Sequence, residues 1–470
     1  MKTKDSCYYP TVMIVDKDIA NDSLILDLLN SENCLVQTAV DFLEILESLK
    51  KCIPDIIILD EKIIFNKGFE IISSIRDLAI DKNLSIIVVT ENLNSELSEK
   101  AIYAGVDELL NKPFDNIELI ARIKSVFSLK MYQEQLKIRK ETLFDFSNNP
   151  PTSEDIYDSK APLFKVLLVD NNSKNAKAIM DIFEYDDDLS FHLVDTGEKS
   201  ITTALDSNFD LIIFDTLLPD MDALDAFKRI KRIDIYKQVP VIFVSSTHNY
   251  DYRVMCLEHE VDEFFFKPIN PKEFNMKFKF LLKRKIKTDK LLTEYMIAFD
   301  YATRDGLTGL YKRNYFMKCL DLEIKKVKRT KKCLSIMMID IDNFKLINDD
   351  VGHLGGDDIL RNVGKIILSS IREVDVAARY GGEEFIILLL NTEKSYASII
   401  AQRIQSALSD LSLPSKLLNS IDKLTVSVGI ADYPYSSRSP IDLINKADQV
   451  LYQAKRTGKN KVCLYDDQLI

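Results

Sequence analysis

The sequence contains few of the residues that build disulfide frameworks and structural zinc sites. Among its 470 residues there are four histidines and seven cysteines. The cysteines are odd in number, and they are scattered with no Cys-x-x-Cys pair. This pattern argues against a disulfide-stabilised secreted fold and against a structural zinc site, and it is typical of a protein kept in a reducing cytosol.

Long apolar runs are also missing. No run reaches the length of a bilayer span, and residues 1–5 lack the apolar core of a signal peptide. We therefore expect a cytoplasmic protein with no membrane span. A net charge of −11 argues against nonspecific binding to nucleic acid or to an anionic membrane, so a nucleotide site must gather its own positive charge locally.

The residues that are present indicate a globular protein of several domains. Hydrophobic residues make up 46% of the chain and charged residues 29%, and a chain of this length suggests about three domains. Near the start, short apolar strands alternate with helical patterns, which favours a parallel sheet covered on both faces. Sites in such sheets form at the carboxyl ends of the strands, where the sequence places Asp16, Asp60, Thr90 and Lys112.

The same set of polar residues at strand ends then recurs in the order Asp170, Asp215, Ser245 and Lys267. The last three follow their counterparts in the first set by 155 residues each. So constant a spacing predicts two copies of one fold, at residues 1–138 and 163–286. The segment between them, residues 139–162, is polar and contains prolines, which is typical of a linker.

Both copies resemble response-regulator receiver domains, doubly wound parallel-sheet (flavodoxin-like) folds in which an aspartate takes a phosphoryl group from a sensor histidine kinase. The resemblance implies that Asp60 is the phosphoacceptor and that Asp215 is a second candidate. It also implies an acid in a Mg²⁺ pocket, a hydroxyl that senses the phosphoryl group and a lysine that pairs with it. These residues are Asp16, Thr90 and Lys112 in the first copy, and Asp170, Ser245 and Lys267 in the second.

Both copies depart from the receiver pattern at the acid pair after the first strand. The second acid is replaced by Lys17 in one copy and by Asn171 in the other. The first copy also has Ile64 in place of the usual proline, and the second has Ala223 in place of the usual glycine. Phosphorylation of Asp60 therefore stays open, and we expect the second copy to act as a dimerisation adaptor without phosphochemistry.

The end of the second copy has a continuous helical pattern. After Pro271 there is neither glycine nor proline up to about Thr303, and apolar residues recur at helical spacing. The pattern predicts that the last receiver helix continues into a helical stalk at residues 287–304. The alternative is an ordinary packed helix followed by a loop. A stalk would let receiver pairing set the position of the C-terminal domain.

The strongest chemical signal is the stretch Arg379–Phe385, which reads Arg-Tyr-Gly-Gly-Glu-Glu-Phe and precedes an apolar run. A Gly-Gly pair in this setting predicts a tight hairpin turn. Upstream, residues 335–342 read as a buried strand that ends in acids. If the two strands are neighbours, Asp340 and Glu383 converge on a place for a hard divalent cation. The alternative is a hairpin with a solvated acidic tip.

Residues 305–470 resemble GGDEF-domain diguanylate cyclases, in the variant spelled GGEEF. Five blocks carry the resemblance in order: residues 305–313, 340–349, 352–360, 379–385 and 447–460. It implies an α+β fold with a central, mostly antiparallel sheet, and the whole architecture resembles the PleD group of response regulators. The implied reaction joins two GTP into cyclic di-GMP and diphosphate. Each domain holds one GTP, so a homodimer is expected.

The resemblance assigns the metal and catalytic roles to the acids around the hairpin. Asp340, Glu383 and the backbone carbonyl of Ile341 are the implied ligands of Mg²⁺ (or Mn²⁺). Glu383 is the residue assigned to activating the nucleophile, and Glu384 assists with a second cation. Two metals together can activate the attacking oxygen and stabilise the phosphorus centre.

Further residues match the GTP-binding positions of the family. Asn348 and Asp357 match the pair that reads guanine, since an amide and a carboxylate together complement the N1–H and the amino group of that base. The cations implied at the phosphates are Lys345, Lys455 and Lys459.

A regulatory site is also implied. Arg372 and Asp375 match an Arg-x-x-Asp site at which the product cyclic di-GMP inhibits such enzymes, and Arg403 falls where a supporting arginine is expected. Two alternatives stay open: a non-catalytic effector that binds cyclic di-GMP there, and a phosphorelay scaffold whose last domain only dimerises. The intact Asp340 and Glu383 favour an active cyclase.

Overall fold

The computed structural model describes residues 10–16, 23–32, 34–79, 84–91, 100–101, 103–114, 116–144, 163–330, 332–411 and 421–466. The chain divides into two compact units. The first comprises residues 1–141 and 152–295, and the second comprises residues 142–151 and 296–470. Lys17, where the sequence departs from the receiver pattern, and most of the 139–162 segment lie outside the described residues.

The first receiver copy is built on a five-stranded sheet in the order β2-β1-β3-β4-β5, and every pairing in it is parallel. The two central strands are fully buried along their length, as expected for a sheet covered on both faces. The strands are β1 (Thr11–Val15), β2 (Leu35–Thr38), β3 (Ile56–Asp60), β4 (Ser85–Thr90) and β5 (Glu108–Asn111).

Five helices described in this copy cover the sheet. The last of them continues beyond residue 138 and ends only at Phe144. Burial of alternate faces of β1 and β3 against these helices divides the core into two apolar clusters, one on each side of the sheet. The helices are α1 (Ser23–Ser31), α2 (Phe42–Lys51), α3 (Glu61–Lys67), α4 (Glu70–Leu78) and α5 (Asn116–Phe144).

The second copy has the same topology, in the order β10-β9-β8-β6-β7 and again all parallel. Its strands are β6 (Phe164–Val169), β7 (Leu189–Val194), β8 (Leu211–Asp215), β9 (Val241–Ser245) and β10 (Glu263–Phe266). Its helices are α6 (Ser173–Asp181), α7 (Gly197–Asp206), α8 (Ala223–Lys231), α9 (Tyr250–Glu258) and α10 (Pro271–Thr303). The predicted repeat of one fold is confirmed, and α10 runs without interruption over the range that its sequence pattern predicted.

Four charged residues related by the repeat meet where the two copies pack within the first unit. The Lys277 ammonium lies 2.8 Å from Glu108 and 2.9 Å from Glu263, and the Arg122 guanidinium pairs with Glu263. All four are buried, and Glu108 and Arg122 precede Glu263 and Lys277 by 155 residues each. Two cations compensate two anions, so removal of any one of them would leave a buried unpaired charge, at a cost of about 3–5 kcal/mol.

The second unit contains a six-stranded sheet in the order β11-β13-β14-β12-β15-β16. The three central pairings are antiparallel and the two outer ones are parallel, which confirms the predicted α+β fold. The strands are β11 (Tyr311–Lys312), β12 (Leu334–Ile341), β13 (Val376–Gly381), β14 (Glu384–Leu390), β15 (Val426–Tyr433) and β16 (Val462–Leu464).

Four helices pack on the two faces of this sheet. They are α11 (Arg313–Thr330), α12 (Phe344–Ser370), α13 (Lys394–Ser409) and α14 (Pro440–Arg456). Strand β12 lies at the centre and is buried at all eight positions, which fixes the position of the acids at its carboxyl end. Among the helices of the described residues, none is long and apolar enough to cross a membrane.

Candidate active site and receiver pockets

The Gly-Gly-Glu-Glu stretch forms the predicted hairpin between β13 and β14. The turn requires a glycine at position 382, where φ is 32° and side chains are rarely accommodated. The pairing shifts register between Arg379 and Gly381, and the Arg379 Nε donates a hydrogen bond of 2.9 Å to the Gly382 carbonyl. The bulge and this hydrogen bond hold the tip of the hairpin, so that Glu383 projects beside the end of β12.

The two acidic strand ends are neighbours, as predicted. Strand β12 pairs with β14 so that Asp340 lies opposite Glu384, and the Ile341 N–H donates to the Glu383 carbonyl over 3.4 Å. Burial raises the pKa of Asp340, and the negative charges of Glu383 and Glu384 add to the rise. A salt bridge of 2.6 Å from the Lys455 ammonium opposes it.

These oxygens fit a hard divalent cation. Asp340, Ile341 and Glu383 line one open cavity of about 490 Å³ at the end of β12. No group of three or more His, Cys, Asp or Glu side chains in the described part of the chain is placed to hold a metal. Ile341 lines the same cavity, and its backbone carbonyl would complete the set with the two carboxylates. Burial, and to a smaller extent repulsion from Glu383 and Glu384, raises the pKa of Asp340, and a bound cation would favour its ionised form.

The three lysines expected at the phosphates line the same cavity: Lys345, Lys455 and Lys459. The Lys459 ammonium donates to the Asn343 side chain at 2.6 Å. Asn343 adopts a left-handed backbone conformation with φ of 58°, and α12 starts at the next residue. The side chain of Asn343 does not cap the helix, and residues 344–346 of its first turn line the cavity where phosphates would bind.

The expected guanine-reading pair lies further along α12, on the two sides of a break at Gly352, where φ is 75°. Asn348 and Asp357 are both partly buried, and neither lines the cavity described above. The Asn348 side chain nevertheless lies next to Gly356, the residue before Asp357. A Cβ atom added to Gly356 would lie 1.9 Å from the Asn348 Oδ1, so the amide occupies the space that a side chain at 356 would need.

Two further acids organise this site, and the sequence analysis gave neither of them a role. Asp342 is buried and accepts hydrogen bonds from Thr425, Ser427 and the Asn460 N–H, which ties the end of β12 to the segment after α14. Asp342 lies two residues after Asp340, which is the same-face spacing of a strand, and it lines the same cavity. That spacing was the signal available in the sequence.

Asp305 is the second such acid. Its carboxylate accepts from the Thr308 N–H at 2.9 Å and from the Thr308 hydroxyl at 2.7 Å, and it lies 3.4 Å from Arg379. Arg379 is the residue that also holds the turn of the hairpin. These contacts lower the pKa of Asp305, although burial alone would raise it.

The expected product site lies at the loop between α12 and β13. Arg372 and Arg403 are exposed, and the Arg403 guanidinium donates to the Ser370 carbonyl. Asp375 is buried, with its two oxygens accepting from the Arg372 N–H and the Leu390 N–H, each at 3.0 Å. The Asp375 carboxylate thus holds the loop backbone from the buried side, and the two arginine side chains carry positive charge on the exposed side.

In the first receiver copy, the expected pocket residues come together at the ends of the strands. The Lys112 ammonium lies 2.7 Å from Asp16 and 3.0 Å from Asp60. Burial alone would lower the pKa of Lys112, but its hydrogen bonds to the two carboxylates raise it above its usual range. The other Asp60 oxygen accepts from the Lys62 N–H at 2.7 Å.

Glu61 is a pocket residue that the sequence analysis missed. Its carboxylate is buried and accepts hydrogen bonds from the Thr90 hydroxyl and, at 3.0 Å, from the Glu91 N–H. It therefore contacts the hydroxyl expected to sense a phosphoryl group on Asp60. The signal was its position next to Asp60 at the end of a buried strand.

The second copy arranges the equivalent residues in the same way. The Lys267 ammonium pairs with Asp215 and lies 3.4 Å from Asp170. Ser245 accepts a hydrogen bond of 2.9 Å from the hydroxyl of Thr216, the residue that corresponds to Glu61 in the repeat. Burial raises the pKa of Asp170.

Three matches to family models cover most of the chain. A model described as the response regulator receiver domain matches residues 12–124 and again residues 166–279. A model described as the diguanylate cyclase, GGDEF domain, matches residues 302–461.

Individual relatives agree with these matches. The response regulator PleD of Caulobacter vibrioides is 27% identical over 451 residues, which cover 96% of this chain and 98% of PleD. Diguanylate cyclase A of Treponema denticola is 39% identical over 175 residues, covering 36% of this chain and 46% of that protein. The crystal structure of the GGDEF domain of DgcB from Caulobacter crescentus, in complex with c-di-GMP, is 32% identical, with a TM-score of 0.33, and the match covers 35% of this chain and 96% of that one. The chain belongs to the response regulators that combine two receiver domains with a diguanylate cyclase domain of the GGDEF family.

Proposed function

We propose that this protein condenses two GTP into one cyclic di-GMP with release of two diphosphates, each catalytic unit of a homodimer holding one GTP. The observation that carries the proposal is the meeting of Asp340 and Glu383 at the ends of adjacent strands, with Lys455 against them and the start of α12 beside them. Acids for a cation, a lysine and open helix N–H groups are the components that phosphoryl transfer needs in one place.

The catalytic step is attack of a 3′-hydroxyl on an α-phosphate. A Mg²⁺ held by Asp340, Glu383 and the Ile341 carbonyl would supply Lewis-acid polarisation of the phosphate. Glu383, at the tip of the hairpin, accepts the proton of the attacking hydroxyl. Lys455 and Lys459 hold the β- and γ-phosphates, which keeps the leaving diphosphate in line and lowers the barrier by positioning.

Substrate choice follows from the two residues on α12. Asn348 and Asp357 read the N1–H and the 2-amino group of guanine, both of which adenine lacks. ATP in the same position would leave a carboxylate without its donors, so the site selects GTP.

Control by the receivers is part of the proposal. A phosphoryl group on Asp60 would lie within the group formed by Lys112, Asp16 and Thr90, and would compete with Glu61 for the Thr90 hydroxyl. The second receiver serves as an adaptor for dimerisation, without phosphochemistry at Asp215. A sensor histidine kinase is the proposed phosphodonor.

Product inhibition completes the cycle. Cyclic di-GMP carries two phosphodiester charges, and Arg372 and Arg403 present two guanidinium groups on the loop that Asp375 shapes. Binding there would favour an arrangement of the dimer in which the two GTP sites do not face each other.

The test is turnover by the full-length protein with GTP and Mg²⁺, measured as diphosphate released and cyclic di-GMP formed. Glu383→Gln keeps the size of the side chain and should lower kcat by about 10²–10⁴-fold. Glu373→Gln, an exposed glutamate in the loop before β13, is the matched control and should retain activity. If the wild-type protein binds cyclic di-GMP but forms no diphosphate, the effector alternative is correct and the cyclase proposal is wrong.

A further inference from the structure

A partly enclosed cavity of about 330 Å³ lies within the first unit, between α5 and α10. It sits beside the amino ends of β4 and β5, the ends opposite the pocket of Asp60. Its apolar walls are Val106, Val126, Leu129 and Phe280. The volume is at the lower end of the range of small-molecule sites, roughly 300–1,000 Å³.

Cations dominate the polar part of the lining. The five cationic side chains at the cavity are Arg76, Lys130, Lys283, Arg284 and Lys287, whereas Asp107 is the one acid among the described residues that line it. Three more acids lie around the wall, where Asp55 and Glu134 pair with Lys130 and Asp262 pairs with Arg284. Even when all three are counted with Asp107, the five cations exceed the four acids, in a protein whose net charge is −11.

Asp107 is shared among several of these cations. Its carboxylate lies 2.5 Å from the Arg76 guanidinium and 3.8 Å from the Lys287 ammonium. Burial lowers the pKa of Lys283, and the charges of Lys287 and Arg76 lower it further, against the opposing effect of Asp107. The cavity is therefore a region of positive potential where an added anion would be stabilised.

Arg76 is the most firmly oriented of the group. Its guanidinium donates to the Leu84 and Gly105 carbonyls as well as to Asp107, so it keeps its position without a ligand. Lys130 is almost completely buried against Asp55 at 2.5 Å. These fixed charges form one wall, and Lys283 and Lys287 on α10 form the other.

We propose that this cavity binds an organic phosphate with an aromatic body, of about the size of a mononucleotide. The apolar walls accept the flat, weakly polar part, and Lys283, Lys287 and Arg76 accept the phosphate. The site joins α4 and α5 of the first receiver to α10 of the second, so the ligand stabilises the packing of the two receivers. It shares no residue with the GTP site or with the pockets of Asp60 and Asp215.

The experiment measures binding of AMP to the full-length protein by isothermal titration calorimetry, with adenosine and inorganic phosphate as separate probes. We expect AMP to bind, adenosine to bind at least tenfold more weakly, and phosphate alone to bind more weakly than AMP. The first comparison tests the cations, and the second tests the apolar wall.

Variants assign the binding to the cavity. Lys283→Gln should weaken AMP binding at least tenfold, and Lys283→Arg, which keeps the charge, should restore most of it. Lys279→Gln is the control, because Lys279 lies one turn earlier on α10, is half exposed and faces Asp186 at 3.7 Å. Far-ultraviolet circular dichroism and a melting curve establish that each variant is folded.

Three results would overturn the proposal: no AMP binding, AMP binding unchanged by Lys283→Gln, or equal loss in Lys279→Gln. Binding of AMP at the GTP site would be revealed by the second result, since Lys283 is not part of that site.

Discussion

Replacement of Gly356 by alanine should damage guanine recognition without damaging the fold. A Cβ at this position would lie 1.9 Å from the Oδ1 and 3.1 Å from the Cγ of Asn348, and 3.4 Å from the Phe344 ring. The first of these distances cannot be tolerated, so the Asn348 amide must turn away. The nearest obstacle is the end of a side chain rather than backbone, and the helix can therefore remain intact.

The magnitude follows from the hydrogen bonds that Asn348 is proposed to make with guanine. Their loss costs about 1–3 kcal/mol, or roughly 5- to 150-fold in KM for GTP. Alanine is also a better helix former than glycine by about 1 kcal/mol, which offsets part of the strain of moving the amide. We therefore expect the melting temperature to change little while KM rises and the preference for GTP over ATP falls.

The assay is steady-state diphosphate release at varied GTP, with a melting curve for each variant. Asn348→Ala gives the reference loss, and the double variant should be no worse than Asn348→Ala alone, because both changes remove the same interaction. Gly306→Ala is the control, since a Cβ there meets nothing within 4 Å. An unchanged KM in Gly356→Ala, or additive losses in the double variant, would refute the role given to Asn348.

Two other predictions concern the receiver pocket and the hairpin. Glu61→Ala removes the carboxylate that holds the Thr90 hydroxyl, so beryllofluoride should activate the variant at lower concentration than the wild type. Substitution of the exposed Glu70 by alanine is the control. An activation curve that does not shift in Glu61→Ala would contradict the proposed competition for the Thr90 hydroxyl. Asp305 has a lowered pKa in the folded protein, so its ionised form contributes stability above the unfolded pKa of about 3.9, and this contribution is lost as pH falls through the folded value. Asp305→Asn should therefore melt earlier than the wild type at pH 7, and the difference should shrink as the pH falls below about 4; a difference independent of pH would show that the charge is not the cause.

The parts of the structure that could be predicted from sequence are those that local patterns determine. The apolar strands with polar residues at their carboxyl ends predicted both parallel sheets, and the Gly-Gly pair predicted the hairpin that holds Glu383. The helix that begins at Pro271 was also predicted over its full length, because it contains no glycine and no internal proline. In each case, the spacing of apolar residues along the sequence indicates which face is buried and whether the segment is a helix or a strand.

The parts that could not be predicted depend on side chains that are distant in sequence. Asp342 bonds to Thr425 and Ser427, more than 80 residues away, and no local pattern indicates that pairing. The buried charges between the receivers are similar, since Glu108 and Lys277 are 169 residues apart. A charged residue in a short strand normally predicts an exposed side chain. Only the packing of the two receivers against each other shows that such a residue has a buried partner.

The position directly after each candidate phosphoacceptor, Asp60 or Asp215, shows how the two receivers differ. In the first, Glu61 binds the Thr90 hydroxyl, and in the second Thr216 binds Ser245 from the equivalent position. The side chain at this position contacts the hydroxyl at the end of the next strand in both receivers, but its charge differs. In the first receiver the contacting group is a carboxylate, and in the second it is a neutral hydroxyl.

This difference alters the electrostatic repulsion that a phosphoryl group would meet in each pocket. Two carboxylates lie near the ammonium in each pocket, at Lys112 and at Lys267, and the first pocket has a third carboxylate, that of Glu61, on the Thr90 hydroxyl. An acyl phosphate adds a charge of about −2, so the first pocket should need a divalent cation more strongly than the second. Removal of the Glu61 carboxylate should then reduce the Mg²⁺ concentration required for modification of Asp60. An unchanged Mg²⁺ requirement would indicate that the lack of a second acid, rather than charge repulsion, limits the pocket.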